Sequence, residues 1–188
     1  MKIGVISDTH GDTTAWQKAW EAFGPEVELV IHAGDVLYHG PRNPLPGGYG
    51  PGNLAELLNA CPVPVVAARG NCDAPIDEEL LNFPLQAPLA FCRWEGLGII
   101  VHHGHQAQPA PEQVARRLGA SVVISGHTHI PGLEVRNEIL FLNPGSPSLP
   151  KGEKPGPTVA WLADGEAAVF NLERGEVILR RSWPLTSR

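Results

Sequence analysis

The chain has 188 residues, with 14 Lys and Arg against 20 Asp and Glu, a formal net charge of −6, and 43% hydrophobic content. That usage excludes a disordered chain and, with no basic run, a protein that grips long nucleic acid by charge alone. No stretch approaches the ~18 apolar residues of a membrane span, and the apolar start after Lys2 is too short for a signal-peptide core, so a soluble cytoplasmic protein is expected. Cys61, Cys72 and Cys92 form no Cys-x-x-Cys pair, which indicates neither a disulfide frame nor a thiolate zinc site.

Lys2 to Ser7 is a continuous β-branched run, as expected of a strand buried on both faces, and it delivers Asp8-Thr9-His10 into a loop. Thr13 to Phe23 sets Trp16, Ala19, Trp20 and Phe23 at helical spacing. A second strand, Leu29 to His32, leads to Gly34-Asp35. Val36 to Gly52, rich in Pro and Gly, reads as a long ordered loop of the kind that shapes binding sites. A short helix at Asn53 to Ala60 precedes a strand from Val63 to Ala68, which runs into Gly70-Asn71-Cys72-Asp73. This first half is therefore βαβαβ.

The second half is richer in strands. Leu89 to Trp94 and Leu97 to His102 form a hairpin across Glu95-Gly96, and the second of these strands opens into His103-Gly104-His105. A helix from Pro111 to Leu118 leads to the strand Val122 to Ser125 and then to Gly126-His127-Thr128-His129. Short alternating strands follow at 133–136, 139–142, 159–163, 167–171 and 177–181. The expected fold is α/β: two mixed sheets packed face to face with helices outside, in a single domain.

Asp8, His10, Asp35, Asn71, His103, His127 and His129 are thus seven residues of metal-binding types in five clusters, each where a strand run gives way to a turn. Taken singly, each cluster is no more than a turn motif. Together they fall at strand ends, where open α/β sheets gather their ligands. Two histidines at i and i+2 on a glycine turn can direct one ring to each of two ions, and a carboxylate such as Asp35 can bridge cations ~3.5 to 4 Å apart. Carboxylate, amide and imidazole donors without thiolate suit Mn, Fe, Ni or Zn and do not single out one.

Asp8-x-His10, Gly34-Asp35 followed by Gly40, Gly70-Asn71-Cys72-Asp73, Gly104 between His103 and His105, and Gly126-His127-x-His129 resemble, in that order, the calcineurin-like metallophosphoesterase superfamily. The His39 to Pro46 segment, the Cys-containing Asn71 loop and Asn143-Pro144-Gly145-Ser146 ahead of Lys151-Gly152 are more specifically similar to the small bacterial YfcE-type phosphodiesterases. The resemblance implies an α/β/β/α four-layer sandwich and hydrolysis of a small phosphodiester by a hydroxide bridging two divalent ions. Mn2+ is the usual ion, with Ni2+, Fe2+ or Zn2+ as alternatives. Carried over by motif, one ion takes Asp8, His10, Asp35 and His129, and the other Asp35, Asn71, His103 and His127. A phosphomonoesterase or nucleotide pyrophosphohydrolase of the same superfamily is the alternative, and a protein-binding scaffold the rival from another class. Neither a membrane nor a long nucleic acid is expected as partner, and a homo-oligomer stays open.

Cys72, Asp73 and His105 are the candidates for catalytic work beside the ligands, His105 as support for a ligand. Many relatives have His where Cys72 stands, thought to protonate the leaving alcohol; a thiol of pKa about 8.5 does this poorly, which implies reliance on a good leaving group, unless Cys72 only lines the pocket. Arg42, Asn43 and Arg69 are the candidates for substrate contact. Asn143 and Ser146 are placed to brace the loops or the ligand histidines. Trp16, Trp20 and Phe23 belong to the core.

Overall fold

The computed structural model describes residues 1–106, 110–153 and 156–183. Four strands, β1 (Lys2–Ile6), β2 (Leu29–His32), β3 (Val65–Ala68) and β4 (Leu85–Gln86), run parallel side by side. β10 (Thr158–Ala163), β11 (Glu166–Asn171) and β12 (Glu176–Ser182) extend the other side of β1 as an antiparallel meander, giving seven strands in the order β12-β11-β10-β1-β2-β3-β4. The second sheet is ordered β5-β6-β7-β9-β8, from β5 (Ala90–Trp94), β6 (Leu97–Val101), β7 (Val122–Ile124), β8 (Gly132–Arg136) and β9 (Ile139–Asn143). Its three central strands are parallel and both edges antiparallel, so each sheet is mixed.

Alternation along the strands sorts the side chains into layers. Ile3, Val5, Leu29, Ile31, Ala160 and Leu162 of the larger sheet meet Ile99, Val101, Val122, Ile124, Leu140 and Leu142 of the smaller one in a core between the two. On the outer face of the larger sheet, Ile6, Val30 and Ala67 pack on α1 (Thr13–Phe23) and α2 (Pro51–Asn59) through Trp16, Ala19, Phe23, Leu54 and Leu58. Gly4 sits where a Cβ would come within 2.8 Å of the Phe23 ring, so this glycine lets α1 lie close to β1. α4 (Pro111–Leu118) covers the smaller sheet through Ala115, against Ile100 and Val123. The layers are helix, sheet, sheet, helix.

Two short elements escaped the sequence reading: α3 (Asp77–Leu80) and β4. α3 is a single turn of three acids and one leucine, and β4 has two residues, so neither carries a full period of hydrophobic pattern. Asp77 Oδ2 accepts from Ala74 N, just ahead of the helix, at 2.8 Å. Among the described residues no helix is long and apolar enough to cross a membrane.

Candidate metal centre

The parallel strands β1, β2 and β3 of one sheet and β6 and β7 of the other each end within three residues of a candidate ligand. Their loops are zipped to one another by backbone hydrogen bonds. Asp8 N donates to Gly34 O and His10 N to Asp35 O, both at 3.0 Å, and Gly126 N donates to His103 O at 3.0 Å. Close approach needs glycine here: a Cβ on Gly70 would collide with the Asp35 carboxylate, and one on Gly34 would come within 2.8 Å of His103 Nδ1.

The two carboxylates repeat one arrangement. Asp8 Oδ2 accepts from Ser7 Oγ at 2.6 Å and from His127 N at 3.0 Å, leaving Oδ1 directed at His129, His10 and His103 Nε2 at 3.3, 3.8 and 3.9 Å. Asp35 Oδ1 accepts from Cys72 N at 2.8 Å, leaving Oδ2 at 3.3 Å from His103 Nε2 and 3.8 Å from His10 Nε2. One oxygen of each is anchored and the other faces the imidazoles. All of these side chains except the half-buried Cys72 and His127 are almost fully buried.

The imidazoles are held the opposite way round. His10 Nδ1 faces Tyr38 O at 2.9 Å, His103 Nδ1 faces Ala33 O at 2.8 Å and His129 Nδ1 faces Leu149 O at 2.5 Å. A carbonyl only accepts, so each Nδ1 carries the proton and each Nε2 of the neutral ring is left with a lone pair. Metal-ligating histidines are commonly oriented by such a bond on the far nitrogen.

Backbone conformation points to the same residues. Nine described non-glycine residues have positive φ, and four of them, Glu95, Asn137, Glu138 and Asp164, lie in hairpin turns. The other five are Asp8, His10, Asp35, His127 and His129, at φ 49° to 69°. Left-handed backbone at bulky residues costs about 1–3 kcal/mol each and persists where function holds it.

Proton equilibria reflect the crowding. Burial pushes Asp8 and Asp35 upward, but the imidazole of His129 facing Asp8 and that of His103 facing Asp35, each at 3.3 Å, hold both carboxylates below their usual range. Burial pushes His103 down, yet the carboxylates of Asp35 and Asp8 facing its ring raise it to about 9. Burial lowers His10. For Cys72, burial and then the charge of Asp35 raise the thiol to about 12, so it stands as a thiol rather than a thiolate.

The remaining candidates divide. Asn71 is exposed and turns Nδ2 toward Cys72 Sγ at 3.2 Å, which leaves its carbonyl oxygen free. His127 is half-buried, its ring 5.1 Å from that of His103. His105 is exposed, 5.4 Å from the His103 ring and 6.2 Å from that of His127. Asp73 is placed as a brace, both oxygens being committed to the N–H groups of Asp35, Val36 and Gly70 at 2.6 to 2.9 Å. Burial raises it to about 6 against those three bonds. Arg69 is engaged by Glu78, and Asn43 Nδ2 donates to His39 O at 2.8 Å; both stabilise their own loops in this structure. Arg42 is exposed. Asn143 and Ser146 brace the centre: Asn143 Nδ2 donates to Gly126 O at 2.9 Å and Ser146 Oγ to Asp8 O at 2.8 Å.

Sequence reasoning passed over His32 and Thr9. Thr9 Oγ1 donates to Val36 O at 2.9 Å and so accepts from His32 Nε2 at 2.9 Å, while His32 Nδ1 accepts from Gly34 N at 3.1 Å. This fully buried ring, which burial holds neutral with a pKa of about 4, ties the first loop to the second. The available signal was a histidine closing the otherwise apolar run Leu29-Val30-Ile31.

Whether this centre fits a metal can be tested on its own atoms. Asp8 Oδ1 and His103 Nε2 are buried with no hydrogen-bond partner. His10 and His129 point Nε2 lone pairs at each other across 3.3 Å. The sets Asp8, His10, His129 and Asp8, Asp35, His103 each bring donor atoms within 4.8 Å of one another, as does His10, Asp35, Cys72. Buried carboxylate and imidazole donor atoms converging on one another are what a cation satisfies, and the residues fit one.

Comparison with known proteins agrees. The family described as "Calcineurin-like phosphoesterase superfamily domain" matches residues 1–164. The chain belongs to the calcineurin-like phosphoesterase superfamily. It is 42% identical over 156 residues to phosphodiesterase YfcE of Escherichia coli K12, covering 82% of this chain and 84% of that one. It is 35% identical over 158 residues to the probable metallophosphoesterase MJ0623 of Methanocaldococcus jannaschii, covering 80% and 70%. The solved structure of the E. coli phosphoesterase superposes with a TM-score of 0.85 at 36% identity, over 98% of this chain and all of the other. Superfamily membership accounts for the two mixed sheets and implies divalent metal binding.

Proposed function

We propose that this chain hydrolyses small phosphodiesters with two divalent ions, one held by Asp8, His10, Asp35 and His129 and the other by Asp35, Asn71, His103 and His127. The observation that carries the reading is the convergence of the Nε2 atoms of His10, His103 and His129 on two buried carboxylate oxygens. Asp35 Oδ2, within 3.8 Å of both His10 and His103 Nε2, supports its role as the shared ligand. Mn2+ is the first ion to test, with Ni2+, Fe2+ and Zn2+ beside it. When bound, such ions make water a competent nucleophile near neutral pH and offset the charge of phosphate oxygens.

The protein's own part is positioning. Asp73, His32 and Ser146 fix the loops that carry Asp8 and Asp35, and backbone carbonyls fix the rings. Cys72 stands at the edge of the centre where an imidazole would be the stronger general acid, so diesters with good leaving groups are the preferred substrates. The neighbour that YfcE's name records as a phosphodiesterase supports diesters ahead of monoesters.

The test is a panel of metal-stripped protein reloaded with each ion and assayed on a bis-aryl phosphate and on the matching aryl monophosphate. Diester turnover should exceed monoester turnover and fall by at least about 10²-fold in Asp35→Asn. Two bound ions with no ester cleaved would leave a binding scaffold in its place.

A further inference from the structure

We infer that Cys72 is a conditional metal ligand: its sulfur joins His10 and Asp35 around a thiophilic divalent ion such as Cd2+ or Zn2+ and stays off a harder ion such as Mn2+; this rests on the metal-centre reading above. One donor atom from each of His10, Asp35 and Cys72 lies within 4.8 Å of the other two, a spread that a single cation can span. Cys72 is half-buried, while His10 and Asp35 are almost fully buried. Both of these partners also face atoms left unsatisfied by the protein. Asp35 Oδ2 lies 3.3 Å from His103 Nε2 and His10 Nε2 lies 3.8 Å from Asp8 Oδ1, and His103 Nε2 and Asp8 Oδ1 are buried with no hydrogen-bond partner. The sulfur therefore borders a set of buried donors that a cation would satisfy.

The surrounding loops seat the sulfur there. Cys72 N donates to Asp35 Oδ1 at 2.8 Å, Asn71 Nδ2 donates to Cys72 Sγ at 3.2 Å, and a Cβ on Gly40 would come within 2.7 Å of that sulfur. Asp73, bonded to the N–H groups of Asp35, Val36 and Gly70, stiffens the same loop. Little ordering is then required before the sulfur meets an ion. Softness decides whether it does. Thiolate sulfur favours Zn2+ and its heavier congener Cd2+, whereas Mn2+ prefers carboxylate, carbonyl and water oxygens. On coordination the S–H bond breaks, the proton passes to solvent, and Sγ donates an electron pair to the ion with no change of oxidation state. The sulfur then fills a coordination place that water or a phosphate oxygen would use, so a thiophilic ion should support less turnover than its affinity suggests.

The test loads metal-stripped wild type, Cys72→Ser and the double variant Cys61→Ser/Cys92→Ser with Cd2+ or Mn2+. It follows the ultraviolet charge-transfer band of a cadmium thiolate together with calorimetric affinity. Cys61 and Cys92 pack against the hydrophobic cores, so the double variant should keep the band and Cys72→Ser should lose it. Cys72→Ser should also bind Cd2+ at least about tenfold more weakly, the low end of the cost of removing a support of a metal site, with Mn2+ affinity held within about twofold. Unchanged Mn2+ binding shows that the centre is still folded in the variant. If Mn2+ binds the wild type but Cd2+ gives no thiolate band, or one that survives Cys72→Ser, the sulfur is no ligand and the phosphodiesterase reading stands. An equal loss of both ions in Cys72→Ser would likewise overturn the inference, since the effect would be structural. If neither ion binds the wild type, the inference falls together with the metal centre beneath it.

Discussion

His10 and His129 meet Nε2 to Nε2 at 3.3 Å, each with its proton on the far nitrogen, held by the carbonyls of Tyr38 and Leu149. Two lone pairs at that distance repel unless a cation lies beside them. A divalent ion should therefore stabilise the fold as well as equip it. At a free ion concentration of 100 times Kd the gain is about 2.7 kcal/mol, or about 5–10 °C in Tm for a chain of this size. Thermal melts with Mn2+ and with a chelator check this, and a Tm indifferent to metal would contradict the centre.

Metal uptake should release a proton. His103, held at about 9 in the metal-free protein, keeps its Nε2 proton at neutral pH, and a cation must displace it. Affinity should climb by about tenfold per pH unit up to about pH 9 and then level off. Calorimetry in buffers of differing ionisation enthalpy counts the proton; His103→Ala should abolish the release as well as weakening binding.

Acid should weaken the fold through His32. Its folded pKa of about 4 lies below the unfolded value of about 6.5, so the unfolded chain binds the extra proton between those limits. Stability is then full above about pH 6.5 and is lost as pH falls toward 4, by on the order of 3 kcal/mol from this group. Denaturation midpoints of metal-free protein at pH 7 and pH 5 should differ less in His32→Asn than in the wild type.

Cys72→His should quicken hydrolysis of esters with poor leaving groups. A thiol gives up its proton less readily than an imidazolium at the same place. An increase of about tenfold on an alkyl leaving group, with little change on nitrophenolate, is the expected pattern. Equal rates on both would make Cys72 part of the wall.

Gly126→Ala should strip metal without altering a ligand. Its Cβ would run into Ser7 Oγ and come within 2.9 Å of Asp8 Oδ2, the oxygen that anchors Asp8. Elemental analysis should find fewer ions per chain, with far-ultraviolet dichroism retained.

The fold was largely legible because its long elements carry clean periods. Thr13–Phe23, Leu29–His32 and Pro111–Leu118 lie where the pattern placed them. The site was legible in its residues, since Asp8, Asp35 and the histidines occupy strand ends, where polar residues on turns are conspicuous. What stayed hidden was which groups act through others. Asp73 reads in sequence like a ligand or an acid, yet it binds three backbone N–H groups of two loops, a pairing that exists only once β2 and β3 lie side by side. Arg69 and Asn43 had free polar ends on paper and are spent on Glu78 and His39 O in the fold. Tyr38 was legible as an aromatic but not as a neighbour of His10, since that contact runs through a main-chain carbonyl.

Asp8, His10 and Asp35 hang from the seven-stranded sheet, and His103, His127 and His129 from the five-stranded one. A cation held by both, as proposed, would rivet the sandwich, and a slip of one layer along the other would pull it loose. Truncating an inner side chain such as Ile99 or Leu162, buried well below the rim, should thus be felt as a change in ion affinity. Interior fit and hold on the ion would then rise and fall together.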